Sequence, residues 1–312
     1  MIDNRDRAIG ALVGLAVGDA LGTPLEFHER DTYEHLTDMV GGGPFDLKPG
    51  EWTDDTSMAL CLGTSLLARY GFDSNDQLTR YANWMNHGYM SSTGVCFDIG
   101  TTTRIAIREF LQNNTLEHNT HFMDAGNGSL MRLAPIPIFY NTKEMYSDAF
   151  VDLLRYAALS STTTHANEVP VQSCVAFAIM LNRAIQGYDK IDIIDIMEDT
   201  DPEKFGITNE TVQNTINLSN ILSKTRDTIK STGYVIDSLE AALWCFITTS
   251  SYKEAVLLAA NLGDDADTVA AITGQLAGAY YGIDGIPQEW VQKITHSEGI
   301  IDLAKNLYDW NN

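Results

Sequence analysis

Glycine recurs at every fourth residue in two separate stretches of this 312-residue chain. A glycine inside a helix costs about 0.5–1 kcal/mol relative to alanine, so its repeated use needs a compensating interaction. The i, i+4 spacing places each set on one narrow helical face, where a second backbone can approach closely. We therefore predict two tightly packed helices, each next to an acidic cluster that the packing holds rigidly. The two stripes are Gly10, Gly14, Gly18 and Gly22, and Gly274, Gly278 and Gly282.

Helical periodicity dominates the rest of the chain. Apolar residues recur at i, i+3 and i+4 in ten segments, and alternating strand patterns are scarce. Hydrophobic residues make up 44% of the chain, prolines number only 8, and no linker rich in Ser, Gly or Pro divides the sequence. We predict one all-α domain over residues 1–312, with irregular loops of which the longest is 27–51. The predicted helices are 8–21, 56–70, 102–111, 147–159, 171–185, 211–224, 236–247, 252–262, 268–281 and 300–310.

The charge balance argues against several classes of partner. Lys and Arg total 20 against 42 Asp and Glu, a net charge of −22 that repels nucleic-acid phosphates and anionic lipid heads. No stretch reaches about 18 uninterrupted apolar residues, and the N-terminus lacks the order of a secretory signal. The four cysteines stand in apolar contexts without metal-type spacing, which indicates reduced thiols. We expect a cytoplasmic monomer that binds neither nucleic acid nor membranes.

Two clusters of oxygen-bearing side chains each come directly before a predicted helix. Asp and Thr commonly cap helix N-termini, and a carboxylate suits the positive end of a helix. Adjacent carboxylates repel one another, however, and a single one is enough for a cap. A divalent cation offsets that repulsion, and Mg²⁺ and Mn²⁺ favour carboxylate, hydroxyl and water oxygens. Capping and a metal site both remain open for these clusters, which contain Thr53, Asp54, Asp55 and Thr56, and Asp264, Asp265, Asp267 and Thr268.

Other polar residues have simple structural interpretations. Glu26 follows Pro24, which should end the first glycine-striped helix, so it is a loop residue that matters only if it lies near the clusters. Asp98 can cap the helix predicted to start near residue 101, and His165 can be a histidine at a helix entry. Gly-Asn-Gly at 126–128 is by itself a turn signal. We assign no metal to the pair His118 and His121, which lies in a polar loop.

Short blocks of recognisable sequence follow one another from about residue 8 to residue 282. Besides the first glycine stripe with Glu26, they are Trp52-Thr-Asp-Asp-Thr-Ser-Met, Gly94-Val-Cys-Phe-Asp-Ile-Gly, Gly126-Asn-Gly-Ser-Leu-Met-Arg, Thr164-His-Ala and Gly263-Asp-Asp-Ala-Asp-Thr-Val-Ala-Ala. Each block alone is weak evidence, but the ordered set resembles the ADP-ribosylglycohydrolase family. The resemblance implies an all-helical orthogonal bundle with a binuclear centre of two Mg²⁺ or Mn²⁺ ions.

The same resemblance implies which residues form that centre. Glu26 falls on the family's acidic residue beside the metals, where it acts as general acid or base, or binds a metal when substrate is absent. Asp264 falls on a variable position, so we place it behind the ligands. The implied ligands are Thr53, Asp54 and Asp55 from the first cluster and Asp265, Asp267 and Thr268 from the second.

The resemblance further implies how ADP-ribose is bound. The loop that begins at Gly126 matches the segment that wraps the diphosphate and the distal ribose, and glycines let backbone amides approach phosphate oxygens. His165 falls on a position that contacts the ligand. Asp98 matches a motif of the arginine-directed bacterial branch, in which the aspartate assists at the ribose. The substrate-loop residues are Gly126, Asn127, Gly128, Met131 and Ser129, whose hydroxyl is an additional donor.

The implied reaction is hydrolysis of the glycosidic bond between C1″ of ADP-ribose and a protein side chain, with arginine as the first choice. The ions orient the ribose hydroxyls and a water, and Glu26 or Asp98 manages the protons of an oxocarbenium-like reaction. The substrate is then an ADP-ribosylated protein and the product ligand is ADP-ribose. Serine-linked, O-acetyl and DNA-linked ADP-ribose remain alternative substrates. A non-catalytic ADP-ribose-binding or structural protein remains an alternative class, although two intact clusters favour an enzyme.

Overall fold

The computed structural model describes residues 2–117, 125–196 and 202–310, so His118 and His121 lie outside the described residues. Within those ranges the chain forms fifteen α-helices and four short 3-10 helices, and its only β pairing is two isolated bridges. The helices are α1 (Asn4–Gly22), α2 (Asp54–Arg69), α3 (Ser74–His87), α4 (Thr101–Asn113), α5 (Pro135–Phe139), α6 (Asp148–Thr162), α7 (Glu168–Ile185), α8 (Lys190–Ile194), α9 (Glu210–Thr215), α10 (Leu218–Ser223), α11 (Val235–Thr248), α12 (Tyr252–Ala260), α13 (Ala266–Tyr281), α14 (Gln288–Lys293) and α15 (Ser297–Asp309).

The all-α prediction is confirmed, since each of the ten predicted segments overlaps helix. Segment 211–224 differs in detail because it forms two helices, and the side chain of Asn217 between them caps α10 by accepting from the Asn220 amide at 3.1 Å. Helices α3, α5, α8 and α14 lie outside the ten predicted segments. The largely polar α3 is instead marked by its ends, where Asp73 caps the first turn and Gly88 stops the helix with a φ of 67°.

The two glycine stripes pack directly against each other. A Cβ added at Gly14 would lie 2.3 Å from the carbonyl oxygen of Gly274, and one added at Gly18 would lie 2.1 Å from that of Ala270. At the end of α1, a Cβ on Gly22 would lie 2.4 Å from the Cα of Asp267. Helices α1 and α13 therefore run antiparallel in backbone contact. The predicted close packing of each striped helix is confirmed, and the structure adds that the two helices are each other's partner. The contact sets the end of α1 against the start of α13.

Helix α1 lies at the centre of the core. It packs against α13, α15, α12, α2 and α7, and its backbone at Gly14 accepts a hydrogen bond from the buried Tyr252 hydroxyl at 2.8 Å. The stretch Asn4–Leu25 is long and apolar enough to cross a membrane by length and composition, but 94% of its most apolar 18-residue window is buried inside the structure. The cysteines are free thiols, as predicted, and all but the half-buried Cys96 are buried.

Candidate active site

The end of α1 and the starts of α2 and α13 meet beside one cavity of about 440 Å³. Two loops complete its wall, one leading into α4 and one beginning at Gly126. Six of the lining residues are carboxylic acids and none is lysine or arginine. The described lining residues are Glu26, Phe27, Asp54, Asp98, Ile99, Gly100, Thr101, Thr102, Thr103, Gly126, Asn127, Gly128, Met131, His165, Gly233, Asp264, Asp265, Asp267 and Thr268.

Helix α2 is capped by a carboxylate from α1, not by its own acidic cluster. Asp19 is fully buried and accepts hydrogen bonds from the amide and hydroxyl of Thr53 at 2.9 and 3.0 Å, and from those of Thr56 at 3.0 and 2.6 Å. Thr53 occupies the N-cap position but makes no side-chain capping bond. Asp54 and Asp55 are therefore not needed as caps. Our sequence analysis assigned no role to Asp19, although a lone aspartate inside an apolar, glycine-striped helix is a signal that could have identified it.

Helix α13 is capped in the same indirect way. The Oε2 atom of Glu26 accepts from the amides of Ala266 at 2.8 Å and of Asp267 at 3.5 Å. Asp265 holds the N-cap position and makes no side-chain capping bond. The ordinary capping interpretation thus fails at both helices, because each N-terminus is satisfied from α1 or the turn that follows it. This leaves the cluster carboxylates available for other ligands.

The two clusters come together although more than two hundred residues separate them in the chain. The Thr53 hydroxyl lies 3.3 Å from Oδ2 of Asp55 and 3.3 Å from Oδ2 of Asp267, and the Thr268 hydroxyl lies 3.3 Å from Oδ2 of Asp55. Ligand atoms of Asp19, Asp55 and Asp267 lie within 4.8 Å of one another, as do those of Glu26, Asp265 and Asp267. The structure thus brings all six predicted metal ligands, together with Glu26, to one place or its immediate edge.

Burial, together with the charges of neighbouring acids at most positions, raises the pKa values of the clustered carboxyl groups. Burial raises the pKa of Asp19 and of Asp265 to about 6 and the pKa of Asp267 to about 7. Burial first, and then the charges of neighbouring carboxylates, raises the pKa of Asp54 and of Asp55 well above the usual value. The carboxyl groups of such a site are stabilised either by protonation or by a bound cation that balances their negative charges.

The residues present fit a divalent metal. Oδ1 of Asp55 is buried and has no hydrogen-bond partner among the described residues, which is costly unless another ligand satisfies it. Every candidate donor is a carboxylate or hydroxyl oxygen, and hard cations such as Mg²⁺ and Mn²⁺ prefer these ligands. The family that the chain resembles is metal-dependent, and these acidic groups are its candidate ligands here.

The loop that begins at Gly126 is joined to the second cluster. The Asn127 amide nitrogen Nδ2 donates to Oδ2 of Asp265 at 2.7 Å and to the Ser238 hydroxyl at 2.8 Å. Gly128 leaves room for the His165 ring, since a Cβ added there would lie 2.8 Å from its Cε1 atom, whereas a Cβ at Gly126 would make an ordinary contact of 3.4 Å with its Nε2 atom. Gly128 thus permits close approach of the loop to a cavity-lining histidine.

Not every predicted loop residue faces the cavity. Met131 lines it, but Ser129 is 1% exposed and its hydroxyl accepts from the Ser161 hydroxyl at 2.8 Å, so Ser129 supports the loop from behind. His165 lines the cavity, and its Nδ1 lies 2.8 Å from the Thr164 hydroxyl. That hydroxyl also accepts from the fully buried Arg132 at 2.8 Å. Sequence analysis assigned no role to Arg132, whose partners come from distant parts of the chain.

Asp98 lines the cavity and does not cap α4. Gly100 holds the N-cap position of that helix, and no side chain bonds to it there. Burial, followed by the charge of Asp54, raises the pKa of Asp98 to about 11, while burial and then the charge of Asp267 raise the pKa of Glu26 above its usual range. Asp98 has a left-handed backbone, with a φ of 57°. Asp98 and Glu26 are thus two acids beside the clusters, on different segments of the cavity wall.

Comparison with known proteins identifies the class to which this fold and site belong. The chain matches the ADP-ribosylglycohydrolase family model over residues 1–311. One solved structure, an ADP-ribosylglycohydrolase-related protein complex, superposes with a TM-score of 0.84 at 36% identity and covers 99% of each chain. This chain therefore belongs to the ADP-ribosylglycohydrolase family, a family of glycosyl hydrolases.

Curated relatives locate the chain within that family. It is 44% identical over 306 residues to ADP-ribosylarginine hydrolase Tri1 of Pseudomonas putida (strain GB-1), covering 97% of this chain and 78% of the relative. It is 43% identical to the protein of the same name in Serratia proteamaculans (strain 568), over 98% of this chain and 80% of the relative. It is 30% identical to ADP-ribosyl-dinitrogen reductase glycohydrolase of Rhodospirillum rubrum, over 93% of this chain and 90% of the relative.

Proposed function

We propose that this protein hydrolyses the N-glycosidic bond that joins ADP-ribose to arginine side chains of a modified protein. The observation that carries the proposal is the meeting of the two acidic clusters at one cavity, with Glu26 and Asp98 on its wall. The names of the two relatives above 40% identity support arginine as the linked residue. We also propose that residues 1–312 act as one catalytic domain, as a monomer in the cytoplasm.

The chain's own donors define where cations belong. We assign two Mg²⁺ or Mn²⁺ ions to the oxygens of Thr53, Asp54, Asp55, Asp265, Asp267 and Thr268. When bound, such ions supply positive charge that orients the ribose hydroxyls and the water and stabilises negative charge. Asp19 and Glu26 hold the two helix ends that carry these donors, so the distance between the clusters depends on both capping carboxylates.

We assign proton transfer to acids that are not proposed as metal ligands. Water adds to C1″ through its oxygen, and the electron pair of the C1″–N bond leaves with the guanidine nitrogen, which takes up a proton. The water in turn loses a proton to a carboxylate. Glu26 is 4% exposed and held by the α13 amides, which fixes its position for this role. Asp98, on the other segment of the wall, is placed to assist at the ribose or the leaving group.

The remainder of ADP-ribose binds along the loop at Gly126. Its glycines expose backbone amides, which suit phosphate oxygens, and Met131 and His165 supply side-chain contacts within the same cavity. The hydrogen bond from Asn127 to Asp265 holds this loop in a fixed position relative to the second cluster. The negatively charged diphosphate can bind in the acidic cavity only when bound cations offset the negative charge of the carboxylates. Metal binding and substrate binding should therefore depend on each other.

The proposal is tested by offering defined arginine-, serine- and DNA-linked ADP-ribose to the purified protein with Mn²⁺ or Mg²⁺. Chromatography of the products measures free ADP-ribose. Release from the arginine conjugate, abolished by chelator and restored by metal, supports the proposed reaction. Release from the serine or DNA conjugate alone would replace arginine with another linkage. Saturable ADP-ribose binding without turnover under any metal would make the protein a binder instead of an enzyme.

A further inference from the structure

Phe27 exposes a large aromatic ring at the mouth of the acidic cavity. The residue is 68% exposed and lines both that cavity and a neighbouring one of about 500 Å³. We propose that Phe27 determines specificity for the leaving group, because its ring receives the guanidinium of the ADP-ribosylated arginine. The inference deepens the proposed function and rests on it.

The backbone holds this ring rigidly next to the second cluster. The Phe27 amide donates to the carbonyl of Asp264 at 2.8 Å, and the Asp264 amide donates to the carbonyl of His28 at 2.8 Å. Phe27 and Asp264 both have left-handed backbones, with φ values of 63° and 62°. That conformation is unfavourable for residues other than glycine and persists only where surrounding contacts impose it. The paired hydrogen bonds thus fix the backbone of Phe27 against Asp264, which directly precedes Asp265.

An aromatic wall connects Phe27 with the segment that carries Asp98. The Phe27 ring packs edge-on against Phe45 with centroids 6.4 Å apart, and Phe45 packs against Phe97 at 5.3 Å. Phe97 directly precedes Asp98 in the chain. The wall therefore links Phe27 to the acid that we place near the scissile bond, and the Gly126 loop contributes nothing to it.

Charge decides which part of the substrate fits against this ring. On the side of the acidic cavity, Glu26 is adjacent to Phe27 in sequence, Asp264 is bonded to its backbone, and the described lining contains no lysine or arginine. Arg30 and Lys230 line the neighbouring cavity on its other side. Neither Asp98 nor Asp264 is assigned to a cation, so their carboxyl oxygens remain to accept hydrogen bonds on the acidic side in the loaded enzyme. An anionic diphosphate is disfavoured there. A guanidinium is favoured, since it pairs with carboxylates and stacks on aromatic faces.

Substitutions at this position separate stacking from folding. Phe27→Leu removes the aromatic face with little change in volume, whereas Phe27→Trp keeps it. Tyr146→Leu is the matched control, because Tyr146 is also exposed (62%) with a left-handed backbone (φ of 68°) but lines neither cavity. Steady-state hydrolysis of an arginine-linked ADP-ribosyl peptide at saturating Mn²⁺ gives kcat and KM, and competition by free ADP-ribose gives its inhibition constant.

We expect Phe27→Leu to raise KM for the arginine conjugate about fivefold or more, as the loss of a cation–π contact predicts. The inhibition constant of ADP-ribose, which lacks the guanidinium, should stay within about twofold of that of the unmodified protein. Phe27→Trp and Tyr146→Leu should both keep KM near its original value.

Three results would overturn the inference. An unchanged KM in Phe27→Leu would show that the ring does not contact the leaving group. Equal losses in KM and in the ADP-ribose inhibition constant would place the adenine base on the ring instead. If the unmodified protein with Mn²⁺ releases no ADP-ribose from the arginine conjugate, the proposed function itself fails and takes the inference with it.

Discussion

Replacing Gly22 with alanine should weaken metal binding without contacting any metal ligand side chain. The new Cβ would lie 2.4 Å from the Cα of Asp267 and 2.5 Å from the carbonyl oxygen of Ala266. Ordinary carbon contacts are about 3.5–4.0 Å, so the end of α1 and the start of α13 must separate by roughly 1 Å. Mg²⁺ requires oxygens at about 2.0–2.1 Å in near-ideal geometry, which a displacement of that size disrupts.

The distant end of the same stripe supplies the control. A Cβ at Gly10 would lie 2.2 Å from the carbonyl oxygen of Gly278, an equal clash far from the cavity. Overpacking costs about 1–3 kcal/mol, offset by about 0.5–1 kcal/mol from replacing a helical glycine, so both variants should lose about 1–2 kcal/mol. Gly299→Ala, in α15, meets no atom within 4 Å and should not lower stability.

Isothermal titration with Mn²⁺ and thermal unfolding measured on the same samples separate the two effects. We expect both stripe variants to unfold at lower temperature, and only Gly22→Ala to lose about tenfold or more in Mn²⁺ affinity. Equal affinity losses in Gly10→Ala and Gly22→Ala would refute the reasoning. So would a Gly22→Ala protein that loses stability yet binds Mn²⁺ as the unmodified protein does.

Three further predictions follow from the site. Asp267→Asn should lower the turnover rate about a hundredfold or more, because one oxygen donor and one negative charge are lost from the proposed metal ligands. The helical circular dichroism signal should be retained. Unchanged hydrolysis would remove Asp267 from the proposed ligands. Glu26→Gln should lower kcat about 100-fold if Glu26 transfers protons, and a normal rate with normal metal affinity would leave Asp98 as the acid–base residue. In chelator, unfolding temperature should fall as the pH rises from about 4 to about 7: the folded pKa values of Asp19 and Asp265, raised to about 6 from 3.8, mean that the folded state binds more protons than the unfolded state in that window. One such carboxylate costs about 3 kcal/mol at pH 7, and added Mg²⁺ should remove the loss; a melting temperature that rises with pH in chelator would contradict this.

Local patterns allowed much of this structure to be predicted. The glycine stripes specify a face at fixed helical spacing, so close backbone packing at α1 and at α13 was predictable from sequence, but the pairing of the two helices was not. The run Thr53 to Thr56 and the later Asp265, Asp267 and Thr268 combine donors of one chemical type next to a helix start, which left helix capping and a metal site both open. Their meeting, however, was an expectation that came from family resemblance, since nothing within either cluster specifies its partner.

The roles that the sequence did not reveal depend on partners that are distant in the chain. Asp19 caps α2 across 34 residues of chain, and Glu26 caps α13 across 240. Phe27 takes its left-handed backbone from hydrogen bonds with Asp264, which no local turn signal marks. Ser129 is adjacent to cavity residues but points into the core, because the chain turns there. Such roles depend on tertiary contacts, whereas periodicity and composition report only on neighbours in sequence.

The central claim is that the two acidic clusters jointly hold divalent ions. Anomalous diffraction at the manganese edge, from crystals of this protein grown with Mn²⁺, locates such ions directly. The account predicts two peaks between the first and second clusters, with oxygens of Asp55 and Asp267 both within coordination distance. Peaks confined to one cluster, or none at the cavity under saturating Mn²⁺, would contradict it.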